Sequence, residues 1–336
     1  MTSRELVYKT LEFKNPPHVP RQLWALPWAA IHHPWRLRRI KRRYPDDISS
    51  VGCRCEPSPV AKGNDCLPGE SVDAWGCRFT NIQLGYIGEV KRPIVTSDDW
   101  SDVGNVRIPE EWLTFDIDDV NKRVRRSDKF MLSGHCPRPF EQLQFIRGTE
   151  NLYMDLTDIP PKLAEFMERM HDFYCRVLTR WAQTDVDALS FMDDWGSQNS
   201  LLINPKLWKN IFLPMYRDYS DIAKKNNKKI FMHSDGYTLD IFPSLIDIGV
   251  DAVNSQIFCI GTNKLKQFKG KITFWGEIDR QHMLPYGTPK DITNAVRQVF
   301  DNLWDGGGCI AQCEFSTGSN PRNVEQVYKA WGKVLG

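Results

Sequence analysis

The sequence predicts an α/β fold of the (β/α)8-barrel type, and three observations carry that expectation. From about residue 115 onward, short apolar runs alternate with amphipathic helices, the rhythm of parallel strands joined by right-handed helical crossovers. The chain has 336 residues, which suits one such barrel with insertions, a single domain over 1–336. Chemically capable side chains also fall directly behind five predicted strands: Asp193 and Asp194, His233 and Asp235, Asn254 and Gln256, Glu277 and Asp279, Cys313 and Glu314. In a β/α barrel the loops behind the strands form the active face, so residues distant in sequence would meet at one end.

The elements are read in order. Residues 3–14 form a short helix with Leu6, Val7, Thr10 and Leu11 on its apolar face, ended by Pro16, Pro17 and Pro20. A first strand follows around Gln22–Leu26. The stretch from about 45 to 110 is rich in Gly, Pro, Asp and Cys, with aromatic segments at 75–79 and 86–90. It has too few apolar residues for a core of its own and reads as an insertion with hairpin character. Residues 129–134 are strand-like, and 162–183 form a strong helix whose Leu163, Phe166, Met167, Met170, Phe173, Tyr174, Val177, Leu178 and Trp181 keep the i, i+3, i+4 spacing of a core-facing side. Strands are expected at 188–192, 229–232, 252–253, 272–275 and 309–312. Helices are expected at 205–226 (bent at Pro214), 239–248, 291–304 and 323–334. This gives six to eight strand–helix units.

Hydrophobic residues make up 41% and charged residues 26%, so the chain can bury a large core. Its formal charge is +2, from 44 basic against 42 acidic side chains, which leaves no overall footprint for nucleic acid. The run Arg36–Arg43 is the local exception, a solvated helix face or a clamp for an acidic ligand. No stretch of 18 apolar residues is present, and the first residues lack the apolar core of a signal peptide. Nine cysteines, an odd number, do not read as a disulfide framework; reduced thiols and a cytoplasmic address are expected. Cys53, Cys55, Cys66 and Cys77 lie close enough together to build a structural zinc site or to be unrelated thiols.

Among the strand-end residues, His233, Asp235 and Cys313 offer imidazole, carboxylate and thiolate. That set could hold a zinc ion with one position open. His233 and Asp235 flank one residue just past a strand, and Cys313 would reach across from the last strand. The plainer reading is a histidine bonded within its own loop and an inert buried thiol.

Several segments resemble the uroporphyrinogen decarboxylase superfamily: Asp193-Asp-Trp-Gly-Ser-Gln198, Phe231-Met-His-Ser-Asp-Gly236, Phe274-Trp-Gly-Glu-Ile-Asp279, Cys313-Glu-Phe-Ser-Thr-Gly-Ser-Asn-Pro-Arg-Asn323, and Val72-Asp-Ala-Trp-Gly-Cys77 followed by Gly88-Glu-Val-Lys91. The matches cover nearly the whole chain, and the resemblance implies a (β/α)8 barrel. One branch of the superfamily holds zinc-dependent methyltransferases that work with corrinoid proteins, through a motif resembling His-x-Cys and a distant Cys. Here His233 matches the histidine, Asp235 stands in place of the middle cysteine, and Cys313 fits the distant one. An oxygen ligand makes the ion harder and more Lewis acidic, so the resemblance implies demethylation of a small O- or N-methylated compound. Because no Asp-x-His-x-x-Gly segment is present, the corrinoid would be carried by a separate partner protein. Asp194 or Glu277 would supply a further ligand or a proton, and Arg21, Trp24, Trp195, Gln198, Asn254 and Trp275 would bind the substrate, with Phe258 shaping the pocket. The resemblance also implies a homodimer. True decarboxylases of the superfamily act on a polycarboxylate tetrapyrrole without metal or cofactor and hold it with an arginine-rich N-terminal motif. Here that motif is reduced to Arg21 in Val19-Pro-Arg-Gln-Leu-Trp24. Decarboxylation is the alternative chemistry, and a non-catalytic ligand-binding barrel the alternative class.

Overall fold

The computed structural model describes residues 1–335. Eleven strands are present among them: β1 (Arg21–Ala25), β2 (Ile48–Ser50), β3 (Gly69–Val72), β4 (Arg78–Asn81), β5 (Glu89–Arg92), β6 (Phe130–Leu132), β7 (Ala188–Met192), β8 (Lys229–Ser234), β9 (Ala252–Ser255), β10 (Thr273–Trp275) and β11 (Cys309–Phe315). Eight of them form one parallel sheet in the order β1-β11-β10-β9-β8-β7-β6-β2. Its ends meet through carboxylates where a backbone ladder would otherwise run. Asp47 N–H donates to the Arg21 carbonyl at 2.8 Å. The side chains of Asp47 and Asp46 accept from the N–H groups of Arg21 and Leu23 at 2.8 and 2.6 Å. The result is a nearly closed (β/α)8 barrel with helices around it, as the alternating pattern predicts.

Strand periodicity of two divides the side chains between two layers. Inward-facing Ile48, Phe130, Leu132, Ala188, Phe231, Ala252, Trp275 and Ile310 form one apolar cluster, and Val7 and Leu11 of the first helix (Ser3–Leu11) plug it from below. The outward-facing residues join a larger cluster with the helices, above all Pro161–Ala182 and Pro205–Lys225, the latter carrying Pro214 inside it. Farther along the same strands the interior turns polar: Phe231 is followed by His233, Ala252 by Asn254, and Ile310 by Gln312 and Glu314.

One detail differs from the sequence reading. The barrel strand β2 lies inside the stretch read as an insertion; three residues are too few to show an alternation. The insertion itself folds as the antiparallel sheet β3-β4-β5. No helix among the described residues is long and apolar enough to cross a membrane.

Candidate active site at the strand ends

A cavity of about 950 Å³ opens at the C-terminal ends of the barrel strands. Its walls come from strand ends (Trp24, Ser50, Ser133, Ser190, Met192, Asp194, His233, Asp235, Trp275, Glu314) and from the insertion (Lys62 to Asp65, Val72, Asp73, Phe79, Ile87).

At one wall Asp194, His233 and Asp235 converge, each offering an atom within 4.8 Å of the others. Two glycines make this possible. Gly196 and Gly236 follow these residues in the loops behind β7 and β8, and a Cβ on either would overlap the backbone of the other loop; Gly236 also has φ +77°. Gly196 N–H donates to the Asp235 carbonyl at 3.0 Å, and Asp235 N–H donates to Asp194 Oδ1 at 3.0 Å.

The orientation of His233 follows from its support. Asn254 Nδ2 donates to the Trp275 carbonyl, so Asn254 presents Oδ1 to the ring. His233 Nδ1 lies 2.6 Å from that oxygen and must carry the proton of the bond. Nε2 is left facing Asp194 Oδ1, 3.5 Å away, and Asp235 Oδ1, 3.8 Å away, and in the neutral ring it offers them a lone pair. Asp235 Oδ1 is buried without a hydrogen-bond partner. Three electron-rich atoms facing one another, with the histidine held by an outer amide, fit a cation of the zinc type with nitrogen and oxygen ligands.

Arg280 organises the opposite side. It pairs with Asp235 Oδ2, with Glu314 at 2.8 Å and with Glu277 at 3.6 Å. Glu277 is almost wholly buried, and burial pushes its carboxyl well above the usual carboxylate range. Glu141, on the cavity wall, is likewise raised by burial, against the pull of Arg138 3.1 Å away. Trp24 lies against the His233 ring at 5.2 Å and edge-on to Trp275 at 5.2 Å, making an aromatic wall.

The structure brings Trp24, Asp194, His233, Asp235 and Trp275 to this cavity, with Asn254 directly behind His233. It does not bring Cys313. On β11 Cys313 pairs with Leu23 and faces the helical layer with it, while its neighbours Trp24 and Glu314 face the cavity. One residue of register inverts the face. Burial accordingly pushes the Cys313 thiol up, and the group at the strand ends that could hold a metal is Asp194, His233 and Asp235, without it. Arg21 shares the outward face of Leu23, 3.8 Å from Asp47, and does not line the cavity. Trp195 is fully buried, stacked on Phe140 at 4.0 Å and donating to Tyr216 Oη at 2.9 Å. Gln198, Phe258 and Glu277 line a separate, smaller cavity of about 100 Å³. Cys66 and Cys77 stand apart from Cys53 and Cys55, whose neighbour is His135. The sequence reading passed over Arg280, because a charged residue five places beyond a strand looks like any solvated loop residue. From the last strand it took Cys313 as the ligand over Glu314, although the partner strands turn Glu314 to the cavity.

The family described as uroporphyrinogen decarboxylase (URO-D) matches residues 72–334. No curated protein sequence matches. Among solved structures, a methyltransferase from Methanosarcina mazei superimposes with TM-score 0.71 at 12% identity over 100% of both chains. A 3-keto-D-glucoside 4-epimerase from E. coli gives 0.40 at 10% identity over 64% of this chain and 83% of that one. A B12-independent methionine synthase from Shewanella sp. gives 0.39 at 13% identity over 65% of each. At these identities the first match shows a shared fold, and the other two carry no argument.

Proposed function

This chain belongs to the uroporphyrinogen decarboxylase family, and from that premise we propose that it is a metal-dependent methyltransferase, moving a methyl group between a small O- or N-methylated compound and a corrinoid carried by a separate protein. The observation that carries the reading is the convergence of Asp194, Nε2 of His233 and the orphaned Oδ1 of Asp235 at the cavity wall. These three residues would hold zinc. Bound there, zinc supplies Lewis acidity to the substrate heteroatom that carries the methyl group.

The protein's own groups do the rest. Asn254 keeps the His233 lone pair aimed at the site. Arg280 neutralises the second oxygen of Asp235 together with Glu314, so the carboxylates can be packed together without mutual repulsion. Trp24 and Trp275 present flat apolar faces that exclude water from a small methylated compound. Glu141, kept protonated more readily by burial, lines the same cavity and would give a proton to the heteroatom when it departs. The cavity charge weighs against the decarboxylase reading. Asp65, Asp73, Glu141, Asp194, Asp235 and Glu314 line it against Lys62, Arg138 and Arg280, and the basic helix Pro34–Arg43 lies outside it. A polycarboxylate ligand would meet more negative charge than positive.

The test is metal content and methyl transfer on the same preparation. About one zinc per chain, lost in His233→Ala, together with methylation of a reduced corrinoid protein by a panel of methoxylated and N-methylated compounds, is the expected result. A chain that takes up no zinc when it is offered overturns the metal site. A zinc-loaded chain that methylates no corrinoid overturns the reaction.

A further inference from the structure

Outside this cavity, the segment after β2 carries a second group of reactive side chains. The chain has no regular secondary structure through Cys53-Arg54-Cys55, where Arg54 is exposed and both cysteines are partly buried. Their sulfurs lie 3.5 Å apart. His135, behind β6, lies beside them: Cys53 Sγ is 3.9 Å from Nδ1 and 4.0 Å from Nε2, and Cys55 Sγ is 4.0 Å from Nε2.

Spacing alone would accept a metal here, since zinc–sulfur bonds of about 2.3 Å put two sulfurs roughly 3.8 Å apart. The histidine decides against it. Trp181, fully buried, donates its Nε1–H to His135 Nδ1 at 3.1 Å, and Trp112 stacks on the ring at 4.8 Å and 7°, holding it in place. Nδ1 is therefore the acceptor, and the neutral ring carries its proton on Nε2. The Nε2–H then faces Cys55 Sγ, 4.0 Å away, and presents a proton where a metal would need a lone pair. Arg123, bonded to the Gly52 carbonyl at 3.2 Å, adds positive charge on the same side.

We propose that Cys53 and Cys55 form a redox-active dithiol pair whose substrate is a small-molecule disulfide. Cys53 attacks one sulfur of the disulfide. A Cys53–substrate bond forms, the substrate S–S bond breaks, and the first thiolate leaves and takes a proton from water. Cys55 then gives its proton to water and attacks Cys53 Sγ, which expels the second thiolate. Two protein thiols are oxidised to one disulfide, and one small-molecule disulfide is reduced to two thiols. Either thiol can donate in the contact between them, and the Arg123 guanidinium at the neighbouring Gly52 carbonyl breaks the tie: with Cys55 as the donor, the Cys53 thiol is drawn down and Cys55 is pushed up. Cys53 is thus the nucleophile and Cys55 the resolving thiol. The pair stands independently of the methyl-transfer reading.

Trypsin supplies a direct readout, because Arg54 lies between the two cysteines. The full chain is treated with oxidised glutathione, unfolded, blocked and digested. The expected product is peptide 44–54 joined by a disulfide to peptide 55–62. In Cys55→Ser the reaction stops with glutathione on Cys53. Alkylation at neutral pH labels Cys53 about tenfold faster than Cys66, and Arg123→Met, which removes the cation beside Gly52, lowers that advantage. Oxidation elsewhere, equal labelling of Cys53 and Cys66, or the same product from Cys55→Ser as from the unaltered chain overturns the proposal. So does added zinc that protects both thiols from alkylation.

Discussion

The groups around His233 and around His135 look alike at first. Each sets one imidazole beside two electron-rich side chains at the ends of barrel strands, with the partners about 3.5–4 Å away. They differ in what holds the far side of the ring. His233 rests on an acceptor, Asn254 Oδ1, and turns a lone pair toward its neighbours. His135 rests on a donor, Trp181 Nε1–H, and turns a proton toward its own. Ligand identity and spacing therefore do not decide whether such a cluster takes a cation. The second partner of the imidazole does, one layer farther from the site.

The largest expected effect comes from the charge that lets the first cluster exist. Arg280→Met leaves Asp235, Glu277 and Glu314 without their common cation, and urea unfolding should show a loss of about 3 kcal/mol. A loss below about 1 kcal/mol would mean that water already compensates these carboxylates. Next are the two ring supports. Asn254→Leu removes the acceptor and should weaken zinc binding about 10- to 100-fold in a competition titration, with the fold intact. Trp181→Phe removes the donor and frees His135 Nδ1. Added Co²⁺ should then give thiolate charge-transfer absorption, which the unaltered protein lacks because its other cluster has no sulfur. If the band is present before the substitution, the contrast between the two rings is broken.

Cys313→Ser sharpens the same comparison from a distance. A hydroxyl placed in the apolar layer between β11 and the helices should cost about 1–2 kcal/mol and leave the metal content unchanged. The smallest effect is one of pH. Burial raises the Asp46 carboxyl above its ordinary value, so its contribution to stability is full below about pH 4. That contribution is lost as pH rises through the folded value. Asp46→Asn, which keeps an oxygen for Leu23 N–H, should flatten that decline in unfolding curves taken across the acid range.

Much of this was legible in the sequence, and unevenly so. The helices at 161–182 and 205–225 and the strands at 188–192 and 229–234 carry enough periods for their faces to be counted. Three-residue β2 does not, and its place in the ring is set by β6 and by Asp47. The strand-end rule located Asp194, His233 and Asp235, because it asks only where a strand stops. It could not tell Cys313 from Glu314, since that choice depends on which parity of β11 faces inward, a property fixed by the partner strands. Arg280 and Trp181 were out of reach for another reason. One acts through three residues scattered over 80 positions of chain, and the other through a single bond to a ring 46 positions away.

Seven joints of the eight-stranded ring are hydrogen-bonded ladders between neighbouring strands, and the eighth, between β1 and β2, is a clasp made mostly by two aspartate side chains. A ring with one clasp has a preferred place to part. Amide hydrogens of Arg21 and Leu23 should exchange with solvent ahead of those in β8, which is laddered on both sides. A chain cut and rejoined so that its new ends fall at the clasp should lose less stability than one reopened at any other joint.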